Sequence, residues 1–112
     1  MTRIDLYKKG DYYYGFKSCG HAEGEFDKLV CSSISTLTQT LYFTLIDKLG
    51  LSESDIRDSQ GDGMLKIEIL KSDIFKRNDI QTCFEFMIKG IELIDEAYPG
   101  YLTLKKVEVQ ND

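Results

Sequence analysis

The sequence predicts an α/β fold of the α+β kind, a mostly antiparallel sheet packed against two helices in the order ββαββαβ. Three observations predict it. Short segments alternate apolar and polar side chains with period two, two longer segments repeat apolar residues every three or four positions, and glycine-rich turns separate them. With 112 residues the chain makes one domain, residues 1–112, with no linker, repeat or low-complexity stretch.

The elements follow in order. From Thr2 to Lys8, Ile4 and Leu6 alternate with Arg3 and Asp5, the pattern of a half-buried strand. Gly10-Asp11 is a turn, and the aromatic run YYYGFKSCG is a second strand, hairpin-paired with the first. If that strand stays extended to His21, Cys19 and His21 share a face. Gly20 to Asp27 reads as a loop. The segment from Lys28 to Gly50 reads as a helix, with Val30, Ile34, Leu37, Leu41 and Leu45 on one stripe, Asp27 as N-cap and Gly50 as stop. Its many Ser and Thr residues are mediocre helix formers, so tertiary packing must hold it.

A hairpin turns at Gly61-Asp62-Gly63, with Leu65, Ile67 and Ile69 on its inner face and Ile56 the one clear apolar residue of its first strand. A second helix runs from about Asp79, with Ile80, Phe84, Met87, Ile91, Ile94 and Tyr98 as its stripe. Gly90 within it costs about 1 kcal/mol against alanine. Pro99-Gly100 ends it, and YLTLKKVEV is the last strand. The apolar parity of that strand shifts between Leu104 and Val107, which calls for a bulge or a change of burial.

Composition narrows the functions. The net charge of −5 argues against nucleic acid as the main partner, because phosphate binding needs a basic surface. No apolar run reaches the ~18 residues of a membrane span. The N-terminus lacks the apolar core of a signal peptide, so a cytoplasmic protein with reduced thiols is expected, the odd count of three cysteines opposing a disulfide framework.

The residues that could carry chemistry are few. His21 is the only histidine, and Cys31 follows ten residues later. A thiol in the first turn of a helix meets unpaired backbone N–H groups and the positive end of the dipole, which favour thiolate. The loop can bring His21 over that turn, and a Cys–His pair within hydrogen-bond reach is the minimal activated nucleophile of a cysteine hydrolase. Ser32 and Ser33 are small enough to leave backbone N–H groups open to an oxyanion. Ser35, four residues after Cys31, shares its helix face.

Other readings of the same residues stand beside this one. Cys31 can be a small buried hydrophobe. Asp27 can be only a cap, and Gly20 only a turn residue. Cys19, His21 and Cys31 offer three zinc ligands, although a structural zinc wants four. Cys83 reads as structural, beside the stripe of the second helix.

Gly20-His21-Ala22, then a glycine-bearing loop, then LVCSSIS from Leu29 to Ser35, resembles the ribosomal-processing cysteine protease family, Prp. That family reads GHA, a loop, a hydrophobic pair, Cys, two small residues, an aliphatic residue and Ser. The segment GDGMLKIEI resembles its later hairpin, and the likeness spans nearly the whole chain.

The resemblance implies a small homodimeric cysteine endopeptidase without metal or other cofactor. Its substrate would be the short N-terminal extension of large-subunit ribosomal protein number twenty-seven, cut after an aromatic, apolar stretch, in support of ribosome assembly. Cys31 matches the nucleophile, His21 the general base and Ser35 the family serine. The family aspartate three before the cysteine is replaced by Lys28, with Asp27 one residue earlier. Glu23 and Glu25 could steer and hold a basic peptide, and Phe26 could close over an aromatic substrate residue. The contrasting expectation is a non-catalytic dimeric module that binds a ribosomal or other basic protein, with Cys31 inert.

Overall fold

A computed structural model describes residues 1–20 and 23–109. Its elements are β1 (Thr2–Lys9), β2 (Tyr12–Gly20), α1 (Glu25–Asp47), β3 (Ile56–Gly61), β4 (Met64–Ile69), α2 (Ser72–Phe75), α3 (Asn78–Ala97) and β5 (Leu102–Glu108). The order is the expected one, with the single-turn α2 as an addition that apolar periodicity is too coarse to detect.

The five strands form one sheet in the order β3-β4-β2-β1-β5. Every pairing is antiparallel except β1 with β5. The helices cover the face that carries Ile4, Leu6, Phe16 and Ile67. These close with Ile34, Leu45, Phe84 and Ile91 into a fully buried core, each such side chain contributing roughly 1.5–3 kcal/mol by leaving water. The other face carries charges such as Arg3, with Asp5, Lys17 and Lys66 in register with one another across the strands.

One irregularity is absent from the sequence reading. The register of β1 against β2 shifts between Tyr7 and Lys8, so that Tyr14 is the extra residue of a bulge and stacks on Tyr7 at 5.8 Å. The β5 register runs unbroken. Its parity change is therefore one of burial: Leu102 and Leu104 face the helices, while Val107 lies beside Tyr7 on the opposite face.

Helix α1 begins three residues before Lys28. Gly24, not Asp27, is its N-cap, and Lys28 N–H donates to the Gly24 carbonyl at 2.9 Å. Glu25 and Asp27 in the first turn suit the positive end of the helix. Phe26 adds ring contacts to Tyr98 and Tyr101, each at 6.0 Å. Asp27 instead pairs with the Met1 amine at 3.5 Å.

By length and composition α1 could cross a membrane, which the search for a continuous apolar run misses. Here its stripe of Val30, Ile34, Thr38, Leu41 and Leu45 is buried, and Ser32, Thr36, Gln39 and Thr40 face outward. Beyond its end Gly50 takes φ +78°, and Leu51 N–H returns to the Leu45 carbonyl at 3.0 Å.

The two long helices meet at Gly90, where an added Cβ would lie 2.9 Å from a Leu37 methyl. Gln81 ties α3 to its surroundings. Its amide donates to the carbonyls of Tyr13 (2.7 Å) and Phe75 (2.6 Å), and its oxygen accepts from Tyr13 N–H at 3.0 Å.

Candidate functional site

Where β2 ends, the sheet and α1 diverge, and a cleft of about 300 Å³ opens between them. Its wall on the helix side is Cys31, Ser35, Gln39 and Tyr42, a run at spacings of four, four and three that lies along one face of α1. The opposite wall is the end of β2 at Cys19 and Gly20 together with the β3–β4 turn. A volume of this size is at the lower end of ligand clefts.

Gly20 belongs to this wall for a steric reason. A Cβ there would lie 2.8 Å from the Met1 carbonyl oxygen and 2.9 Å from Thr2 Cα, and its N–H donates to Gly63 O at 3.0 Å. The end of β2 is thus pinned between β1 and the hairpin turn. A second cleft of about 440 Å³ shares Cys19, Gly20 and Gly63 with the first and continues past Arg3, Glu23 and Asp62. The two clefts share the end of β2 as a common wall, one arm bearing Tyr42, Phe43, Met64 and Leu65 among polar side chains and the other bearing Arg3, Glu23 and Asp62. Tyr42 closes the far end of the first arm. Burial, then the Asp58 carboxylate that its hydroxyl meets, push its ionisation above the usual tyrosine range, so α1 is tied there to edge strand β3.

The expected site residues are placed as follows. Cys31, a free thiol, and Ser35 line the cleft from α1, and Gly20 lines it from β2. His21 and Ala22 lie outside the described residues. Glu23 precedes α1, whereas Glu25 and Phe26 sit in its first turn and not in a loop. Asp27 is one turn before Cys31, on the Met1 amine.

Because α1 starts at Glu25, Cys31 falls at the end of its second turn, beyond the free amides and most of the dipole's reach. Ser32 and Ser33 likewise have their N–H groups inside the helical ladder, so the expectation that these amides are open to an oxyanion is corrected. Cys83 is half-buried, and burial, then Asp79, push its thiol up. Among the described residues no three His, Cys, Asp or Glu side chains gather closely enough to hold a metal ion.

Sequence reasoning missed Gln39 and Asp62. One is a polar residue on a polar helix face and the other a turn aspartate, and neither has a signal until the cleft is formed.

A free thiol on a helix, at the wall of a cleft between that helix and a sheet end, defines the class: a small α+β domain with a thiol site open to solvent. The chain belongs to the cysteine protease Prp family, whose model matches residues 1–103. Solved structures share the fold. SMU.848 from Streptococcus mutans is 24% identical with a TM-score of 0.79, over 97% of this chain and 99% of that one. The ribosomal processing protease Prp from S. aureus in complex with a substrate peptide is 19% identical with a TM-score of 0.77, over 96% and 100%. The same protease with a covalently linked product peptide gives 18% and 0.74 over the same shares. No curated protein sequence matches.

Proposed function

We propose that this chain is a cysteine endopeptidase of narrow specificity, with Cys31 as nucleophile and His21 as acid/base. Its substrate is the short N-terminal extension of large-subunit ribosomal protein number twenty-seven. The carrying observation is the family match over residues 1–103, in a chain whose Cys31 and Gly20, the neighbour of His21, line one cleft.

In this reading His21 takes the Cys31 proton and the sulfur adds to the scissile carbonyl. The tetrahedral intermediate collapses to a thioester as His21 protonates the departing amine, and water then hydrolyses the thioester with His21 again as base. No metal or organic cofactor enters. The first cleft, with Tyr42, Met64 and Leu65 in its lining, suits the aromatic stretch before the cut. The protein works in the cytoplasm as a homodimer. The S. aureus relatives that hold a substrate peptide or a covalently linked product peptide support a peptide as the occupant.

The rival reading is a non-catalytic dimeric module for a basic protein, favoured by the distance of Cys31 from the free end of α1. Incubation with extended and pre-trimmed forms of the ribosomal protein separates the two. Cleavage of the extended form alone, lost in Cys31→Ser, is expected; an extended form left intact by the wild type returns the protein to the binding module. Iodoacetamide should also modify Cys31 faster than Cys83, whose thiol is pushed up by burial. The Cys31 rate should fall in His21→Ala.

A further inference from the structure

Four hydroxyls of α1 bond back along the helix. Ser33 donates to the Leu29 carbonyl (2.8 Å), Thr36 to Ser32 (3.0 Å), Thr38 to Ile34 (2.9 Å) and Thr40 to Thr36 (2.6 Å). Each satisfies its hydrogen one turn back along the helix. Ser35 does not. Its Oγ accepts from Gln39 Nε2 at 2.8 Å, and its own O–H meets no acceptor among the described residues. A hydroxyl carries one hydrogen and two lone pairs, so an Oγ that accepts from Gln39 keeps its hydrogen for another acceptor. Cys31, Ser35 and Gln39 all line the same cleft.

The chemistry at Cys31 calls for a donor there. Addition of sulfur to a peptide carbonyl puts negative charge on oxygen, which a preorganised hydrogen bond stabilises more than it does the ground state. The backbone amides beside Cys31 are engaged in the ladder of α1. On this helix the donors left to face the cleft are side chains.

We infer that Gln39 is a positioning residue: by donating to Ser35 Oγ it turns the Ser35 O–H into the cleft, toward the carbonyl oxygen of the peptide attacked by Cys31. The inference rests on the peptidase reading above. Gln39 is exposed, so its substitution leaves the core intact, and thermal melts of the variants should overlay the wild type.

The test measures kcat and KM of the full chain on a synthetic extension peptide. A carboxylate only accepts, so Gln39→Glu draws the Ser35 hydrogen out of the cleft; an ammonium only donates, so Gln39→Lys leaves it in place. Ser35→Ala and Gln39→Glu should each lower kcat about tenfold or more with KM within about twofold, by loss of one oxyanion donor. Gln39→Lys should keep kcat within about threefold, since the donor survives. Ser35→Ala/Gln39→Glu should be no slower than Ser35→Ala, the signature of one shared route.

Wild-type kcat in Gln39→Glu overturns the inference. So does a further loss from Gln39→Glu in the Ser35→Ala background, which would mark a field effect on Cys31. So does a Gln39→Lys variant as slow as Gln39→Glu. A wild-type chain that cuts no extension peptide overturns the peptidase reading and this inference together; one that cuts it while Gln39→Glu matches it overturns this inference alone.

Discussion

At Gly15 and Gly90 the absence of a side chain does different work. A Cβ on Gly15 would run into the backbone carbonyl of Ile67 in the paired strand β4. Neither strand can give way without breaking the ladder. A Cβ on Gly90 would meet only the tip of Leu37, with methyls at 2.9 and 3.0 Å, and that tip can rotate. Gly15→Ala should therefore cost about 3 kcal/mol or more. Gly90→Ala gains about 1 kcal/mol of helix propensity against the shift of Leu37, and should stay within about 1 kcal/mol of wild type. Urea denaturation of the two variants checks the ranking; equal midpoints would mean that the sheet yields as readily as a leucine side chain.

At the scale of elements, the β3–β4 hairpin hangs from one carboxylate. Asp55 accepts from Ser52 N–H (2.9 Å) and Ser52 Oγ (3.0 Å) and pairs with Lys71 Nζ at 2.8 Å. Its backbone carbonyl accepts from Leu70 N–H at 2.8 Å. Lys71 and the Ser52 donors together hold the Asp55 carboxyl down at about 2. A folded-state value below the unfolded one gives a contribution fully present above about pH 4 and lost as the pH falls toward about 2. Asp55→Asn should flatten the stability profile over that window and leave its shape above pH 5 unchanged, as urea midpoints across pH 2–6 would record. An acid limb as steep in the variant as in the wild type would assign it to other carboxylates.

The same scale shows what the sequence makes legible. Ile4 and Leu6, or Phe84, Met87 and Ile91, fall on strands and stripes because periodicity records which side meets the core. The start of α1 escapes because Phe26 packs against rings far along the chain, Tyr98 and Tyr101. The bulge at Tyr14 escapes because alternation in an all-aromatic run is blind to one extra residue. Of the site, Cys31 and Ser35 are legible from a motif, whereas Gln39 becomes notable only when its bond to Ser35 is seen against the back-bonded hydroxyls around it.

The whole molecule combines a net charge of −5 with a second cleft arm that carries Glu23 and Asp62 beside Arg3. Arg3 is itself paired with Asp5 at 3.2 Å and the Met1 amine, also at this arm, with Asp27 at 3.5 Å, so the Glu23 and Asp62 carboxylates give that arm a negative balance. Glu25, in the exposed first turn of α1, adds to it. A peptide with basic residues beyond its cut would be drawn toward this arm and held in register there, a long-range effect that salt screens over ~10 Å at 0.1 M and ~3 Å at 1 M. Glu23→Gln/Glu25→Gln should raise KM for a lysine-bearing extension peptide about threefold at low ionic strength, with kcat unchanged and the difference gone near 1 M salt. A peptide with those lysines replaced by glutamine should not tell the two proteins apart. Glu25→Gln also removes a favourable charge from the helix start, worth about 0.3–1 kcal/mol, so a melt must accompany the kinetics. A KM unmoved at low salt would leave substrate capture to the first cleft alone.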